Sequence, residues 1–201
     1  MSLNNEKELA EKSLVNIVIQ GNTSAFDMII KNTEGLVVQI VFRMLSNTED
    51  RKDVVQEIYL KVFKNLREFK FQSKLSTWIA RIAYNTCVNH LEKKRLVLDD
   101  HAYEQDEKDD GSISHVTTVS EYHGPEEHIF RKELSLILNA EIEKLPSLYR
   151  TMIILYHQED LSYTDIAQVT DLPVGTVKSY LFRARKKLKE NILLQYKHEE
   201  L

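Results

Sequence analysis

Lys178, Ser179, Phe182, Arg183, Arg185 and Lys186 crowd into one stretch, "LSYTDIAQVTDLPVGTVKSYLFRARKKLKE", residues 161 to 190. Cations of this kind hold phosphates without reading sequence. The hydroxyl and aromatic groups among them, here Ser179 and Phe182 beside Lys178, can meet base edges. A second cluster, Asp53, Gln56, Glu57, Leu60 and Lys61, recurs at three- and four-residue spacing. Such positions are neighbours on a helix and form one patch. Acids and an amide around an apolar Leu suit docking to a cationic partner, or simply a solvated face. A third set lies on one segment: Trp78, Arg81, Asn85 and Asn89, with Tyr84. An aromatic ring can support an unstacked base, worth roughly 1–3 kcal/mol per base. Asn85 donates and accepts, so it can read a base edge. Arg81 and the run Lys93, Lys94 and Arg95 can hold phosphates, and Trp78 could equally be a core aromatic.

No Ser-His-Asp set, phosphate loop or metal-ligand spacing accompanies these clusters. The expectation is a binding protein, not an enzyme, with no cofactor and no metal. The lone Cys87 permits no intramolecular disulfide and no Cys-based zinc site, and it reads as a small buried apolar residue. His101, His115, His123 and His128 are too irregularly spaced for a metal site.

The elements that must position these groups read as helices. Ser162 followed by Asp165 fits a helix-start capping pair. Ile166, Ala167 and Val169 make a short helix that "TDLP" breaks. Pro173 suits the first turn of the next helix, where its missing N–H is not needed. Val177, Leu181, Ala184 and Leu188 then face inward, leaving the cations outward. Two short helices joined by a tight turn form a helix-turn-helix whose second helix enters a major groove. On charge alone, a basic surface helix would serve as well. "IFRKELSLILNAEIEKL" and "SLYRTMIILYHQE", separated by Pro146, are two preceding helices.

The amino-terminal half reads likewise. Leu14, Ile17, Phe26, Ile29, Ile30, Val37, Ile40, Val41 and Leu45 recur with helical period. Val54, Val55, Ile58, Val62 and Leu66 form the buried stripe of an amphipathic helix, with Asp50 at its positive end. After the turn "KFQSK" comes "LSTWIARIAYNTCVNHLEKKRL", with Ser73 or Ser76 as candidate N-cap and Leu75, Ile79, Ile82 and Ala83 packing inward.

The net charge of -4 over 201 residues conceals segregation. Residues 99 to 127 hold ten acids and one lysine, a balance of -9, and the remainder carries +5. This acidic segment, with Gly111, Gly124 and Pro125, reads as a tether mostly without regular structure. Charge segregated in this way points to a polyanion partner. The fold class is therefore all-α: two small helical domains at 6–97 and 129–195 joined by a flexible acidic linker at 98–128. The first residues lack a basic start followed by an apolar run, and nothing approaches ~18 uninterrupted apolar residues. A soluble cytoplasmic chain is expected.

At this point the motifs resemble a family. "LSYTDIAQVTDLPVGTVKSYLFRARKKLKE" resembles the fourth conserved region of bacterial sigma factors of the extracytoplasmic-function (ECF) type. "LPSLYRTMIILYHQEDLS" is similar to the helices before it. Response regulators share that pattern, so this half alone would also fit a free-standing transcription factor. "DVVQEIYLKVFKNLREF" resembles the family's second region, where a D-x-x-Q-E helix docks on the clamp coiled coil of RNA polymerase. "STWIARIAYNTCVNHLEKKR" resembles its minus-ten helix. Both motifs in this order resolve the ambiguity.

The resemblance implies a promoter-specificity subunit that binds core RNA polymerase at the beta-prime clamp and beta flap, recognises two promoter elements and helps melt DNA. Asp53, Gln56, Glu57, Leu60 and Lys61 would bind polymerase. Phe71, Lys74, Trp78, Arg81, Tyr84, Asn85 and Asn89 would meet the minus-ten element, with the loop "FKFQSK" and Asn85 forming a pocket for a flipped base. Ser162, Tyr163, Thr176, Lys178, Ser179, Phe182, Arg183, Arg185 and Lys186 would meet the minus-thirty-five element. Many members carry an acid at the position of Asn89. The linker would be a tether, would thread polymerase channels as a nucleic-acid mimic, or would shield the basic helix. An anti-sigma partner is expected by resemblance only.

Overall fold

The computed structural model describes the backbone of residues 2–99 and 125–199 and the side chains of 9–94 and 134–194. Most of the described residues are helical, with no strand among them. The order is α1 (Ser2–Ile19), α2 (Phe26–Met44), α3 (Thr48–Asn65), α4 (Leu75–Asp99), α5 (Pro125–Glu143), α6 (Ser147–His157), α7 (Tyr163–Thr170) and α8 (Val174–Glu199). Most of the acidic tether lies outside the described residues. At its end the structure differs from the expectation, because α5 already begins at Pro125. Proline is tolerated in a first helical turn, which has no use for its N–H.

The start of α3 is capped by Asn47, whose side chain accepts from the amides of Glu49 and Asp50. Asp50 also receives His90 and Lys94 from α4, each at 3.3 Å. Burial pushes its carboxyl up, but these two partners outweigh that and hold it below the usual carboxylate range. The end of α2 is closed differently. Buried Arg51 donates from Nε to the carbonyl of Leu45 at 2.7 Å and lies over the Phe42 ring. A cation there satisfies carbonyls that the helix end leaves unpaired.

The period-based reading of the core holds for α3 and most of α2. In α1 it fails. Val15 and Val18 are buried, while Leu14 is half-buried and Ile17 is 42% exposed. One short helix lying on a bundle buries only a narrow stripe, and several apolar residues in α1 compete for it. The N-cap expectation for α4 also fails. Lys74 provides the carbonyl for the first helical bond, to the amide of Trp78. The Ser73 hydroxyl donates to the Lys74 carbonyl instead of accepting, and Ser76 lies inside the helix. The Leu75 amide is satisfied from afar by Glu11 of α1, at 3.3 Å.

The two halves of the chain share one core. α2 packs on α4 and on α6, and α4 packs on α3 and on α7. Apolar contacts run without a break from Val15 through Ile79 to Leu155, Ile166 and Leu181. Arg43 of α2 pairs with Glu143 of α5, which also accepts from Arg150 at 2.7 Å. Among the described residues no helix is long and apolar enough to cross a membrane.

Candidate nucleic-acid interface

The second pair of helices in the carboxy-terminal half, α7 and α8, forms the expected helix-turn-helix. Ser162 is extended, and its hydroxyl accepts from the amide of Asp165 at 3.1 Å. The Asp165 carboxylate accepts from the amide of Ser162 at 3.2 Å, completing a capping box. Asp171 ends α7 in the left-handed region, at φ 59° and ψ 31°. A short polar side chain tolerates this conformation. Pro173 sits just before α8, not in its first turn: its carbonyl accepts from the amides of Thr176 and Val177. Val177, Leu181 and Ala184 are fully buried, as their spacing requires.

Lys178, Ser179, Phe182, Arg183 and Lys186 are exposed on α8, and Phe182 keeps 69% of its surface in solvent. An apolar ring that open is available to a partner. The Ser179 hydroxyl donates to the carbonyl of Gly175 at 3.0 Å, so its remaining capacity is as an acceptor. Thr176 is half-buried, and Ser162 is exposed at the cap.

Arg185 departs from the outward reading. Its guanidinium lies over the Tyr156 ring at 4.8 Å, and its Nε donates to His157 Nε2 at 3.1 Å. Tyr156 stacks on Tyr163 at 4.9 Å, and Lys178 lies over Tyr163 at 5.7 Å. The two tyrosines make an aromatic shelf under two cations of α8. The hydroxyl contact between them pushes Tyr156 up and Tyr163 down from the ordinary tyrosine value, with Arg185 adding to the second. Burial, then Arg185, lowers His157, which favours the neutral ring that accepts the bond. Tyr156 and His157 had no signal in the sequence, because they lie on α6 and meet Arg185 only through the packing of α6 on α8.

On α3, Asp53, Gln56, Glu57 and Leu60 are exposed together, and Leu60 has 59% of its surface in solvent. Lys61 bends toward α4. It pairs with Glu57 at 2.7 Å and donates to the Thr86 hydroxyl at 3.2 Å. Phe63, one turn on from Leu60, adds an exposed edge that sequence spacing did not single out.

On α4, Trp78 serves two purposes. It is half-buried, with its ring 5.2 Å from that of Phe69, and it lines a cavity of about 360 Å³. Phe69, Gln72, Ser73, Thr77, Trp78 and Arg81 form much of that lining, and Gln168 of α7 closes it. Phe71 has φ 54°, which turns the loop sharply; its ring lies 4.7 Å from that of Phe69, under the Lys12 ammonium. Helix α1, through Glu11 and Lys12, therefore holds the loop in shape. Lys74 is exposed and Tyr84 half-buried. Asn85 is exposed but not part of this lining, and Asn89 borders a separate, smaller depression with Glu57 and Lys61. The structure thus brings the loop, Trp78 and Arg81 together but not the two asparagines. Burial pushes Tyr84 up from the ordinary tyrosine value.

A fourth surface was not foreseen. Leu138, Ile142, Ile153, Leu188, Ile192 and Leu193 line an apolar groove of about 530 Å³ between α5, α6 and α8. Among the described residues no group of His, Cys, Asp or Glu could hold a metal ion. Cys87 is fully buried, and burial pushes its thiol up to about 12.

Comparison with known proteins gives this arrangement its context. A family model of sigma-70 region 2 matches residues 29–97, and one of sigma-70 region 4 matches residues 135–188. The chain is 35% identical over 188 residues to the ECF RNA polymerase sigma-E factor of Haemophilus influenzae, covering 92% of this chain and 97% of that one. It is 30% identical over 185 residues to the ECF RNA polymerase sigma factor SigW of Bacillus subtilis, covering 92% and 98%. Its fold is similar to that of the sigma factor RpoE of Bartonella quintana, solved with the anti-sigma factor NepR. The TM-score is 0.61 at 22% identity, over 82% of this chain and 94% of that one.

Proposed function

The chain belongs to the sigma-70 family as an ECF-type sigma factor, and from that premise we propose how its surfaces divide the work of promoter recognition. Residues 6–97 form the module that binds core polymerase and handles the minus-ten element, and residues 129–195 read the minus-thirty-five element. Residues 98–128 join them. One observation carries the reading. Two unlike binding faces occur on one fold: acids and an amide around exposed Leu60 on α3, and exposed cations around Phe182 on α8.

The α3 face docks on a cationic coiled coil of the polymerase clamp. The shape of that face supports this, since Asp53, Gln56, Glu57 and Leu60 share one exposed side. The apolar groove between α5, α6 and α8 takes an apolar segment of the polymerase flap. Helix α8 enters the major groove, where Arg183 and Lys186 neutralise phosphates and Lys178, Ser179 and Phe182 meet base edges. Arg185 approaches the backbone and Lys178 the bases from the tyrosine shelf, which limits their rotamers before DNA arrives.

The cavity beside Trp78 receives a base from the non-template strand, with Arg81 and Lys74 on the adjoining phosphates. Extruding a base costs a few kcal/mol, and exposed residues of one helix do not supply that alone. Melting therefore draws on the whole polymerase complex. A protein antagonist of the anti-sigma kind belongs to the same proposal, since such a partner binds the Bartonella quintana factor of similar fold.

The test is initiation in vitro. Core polymerase with the purified chain is expected to start transcripts at defined positions on a subset of a promoter-fragment library. Core alone should not. Absence of any defined start would overturn the assignment.

A further inference from the structure

We propose that Glu11 and Lys12 of α1 are positioning residues for the minus-ten surface. Acting through the loop beside Trp78 and not by contact with DNA, they set how sharply the chain tells one flipped base from another. The proposal deepens the reading of the cavity beside Trp78 as a base pocket and rests on it.

The helix that carries Trp78 and Arg81 has no local cap. The first amides of a helix have no partner within it and need one from outside. The Ser73 hydroxyl donates to the Lys74 carbonyl instead of accepting, and Leu75 is buried. The Leu75 amide finds its partner in the Glu11 carboxylate, at 3.3 Å. An anion suits the positive end of a helix, and hydrogen bonds to charged groups are the stronger ones. Trp78 and Arg81 follow three and six residues after Leu75. The start that Glu11 fixes therefore sets the position of both.

Lys12 acts on the loop itself. Phe71 has φ 54°, a region that bulky side chains rarely adopt and that persists only where the surroundings impose it. Its neighbours Phe69, Lys70, Gln72 and Ser73 line the cavity. Its own ring lies under the Lys12 ammonium, 5.9 Å from the ring centre. From there three rings run in series: Phe71 to Phe69 at 4.7 Å, and Phe69 to Trp78 at 5.2 Å. The far end of that series is the ring assigned to an unstacked base. A shift of α1 therefore reaches the pocket wall through ring contacts.

Anchoring of α1 does not require these two residues. Val15 and Val18, four and seven positions after Glu11, are buried on the same side and hold the helix to the bundle. Glu11 and Lys12 lie one turn earlier, half-buried, and reach the start of α4 and the loop.

The test uses the full chain with core polymerase and one promoter fragment recovered from the initiation library. Each base of its minus-ten element is replaced in turn by the other three, and initiation rates give a discrimination ratio at every position. A well-formed base contact yields a ratio of roughly 5-fold to 150-fold. Trp78→Ala marks the position that the pocket reads. There, Glu11→Ala with Lys12→Met should lower the ratio by roughly threefold or more, and leave the other positions within about twofold. Glu11→Gln with Lys12→Arg keeps an acceptor and a cation, and should restore the parental ratio. A merely structural role would slow initiation on every fragment alike and leave the ratios unmoved, which would overturn the proposal. If Trp78→Ala flattens no position, the pocket reading falls and takes the proposal with it.

A second measurement needs no promoter. Trp78 is the only tryptophan in the chain, so its fluorescence reports on the pocket wall directly. Quenching by acrylamide should rise in the first pair of substitutions and return to the parental level in the conservative pair. Parental quenching in the first pair would also overturn the proposal. Lys12→Met alone leaves the Leu75 cap in place and is run beside the pair, with the same direction expected in both measurements. Thermal unfolding of the same samples shows that the variants are folded.

Discussion

The docking face on α3 allows stability and binding to be separated by one pair of substitutions, Gln56→Ala with Glu57→Ala. Gln56 and Glu57 are both exposed. The main intramolecular partner that Glu57 loses is Lys61, an i,i+4 pair at 2.7 Å with both side chains well exposed. Such pairs contribute ~0.3–0.5 kcal/mol. The higher helix propensity of alanine offsets part of that. The net loss is therefore under ~0.5 kcal/mol, which moves Tm by no more than about 2 °C in a chain of this size. Binding should respond very differently. Residues near the centre of an interface cost ~1–2 kcal/mol each on truncation. Together the two would weaken core affinity by roughly 30-fold to 1,000-fold. The assay is titration of dye-labelled chain with core polymerase, followed by anisotropy, with thermal unfolding measured on the same samples. Leu60→Glu, which puts a charge at the apolar centre of the patch, should weaken binding at least as much. A double variant with parental Tm and parental core affinity would show that this face is only a solvated helix side.

Four further outcomes follow from the structure. Ser162→Ala removes the capping box at α7 and should cost ~1 kcal/mol, a drop in Tm of roughly 2–4 °C. Ser162→Asn, which can still cap, should restore most of it. Arg183→Ala with Lys186→Ala should weaken duplex binding by the core complex on all sequences alike. It should lower the slope of log affinity against log salt by about 0.9 for each phosphate no longer neutralised. Cys87 should resist alkylation in the native chain. At pH 8 a thiol pushed up to about 12 is ionised in ~1 molecule in 10,000, against ~1 in 10 for an ordinary thiol near 9. Labelling should therefore be about a thousandfold slower than after unfolding. The same shift has a sign for stability. The buried thiol favours its neutral form, so its contribution is complete below pH 9 and falls by about 1.4 kcal/mol per unit from there to about 12, where it is lost. Comparing pH-dependent unfolding of the parent and Cys87→Ala isolates this from the buried tyrosines.

Much of the molecule was legible in the chain because helices carry their own signals. The Ser162–Asp165 cap, the buried stripe through Val54, Ile58 and Val62, and the inward Val177, Leu181 and Ala184 all follow from period and capping chemistry. These depend on residues within a few positions of one another. The exposed face of α3 was legible for the same reason: once its buried stripe is known, Asp53, Gln56, Glu57 and Leu60 must lie opposite.

What the chain did not disclose are contacts between groups far apart in sequence. Nothing local could say that Glu11 would satisfy the Leu75 amide in place of Ser73 or Ser76. Nor could it say that Arg185 would fold back onto Tyr156 and His157, or that Val15 would win over Ile17 for the narrow stripe of α1. The closing of α7 over Thr77 and Arg81 is the largest such case. Helix period decides which side of a helix is apolar, but not which other helix covers it. That choice belongs to the packing of whole helices, where shape, buried area and a few paired charges are settled together.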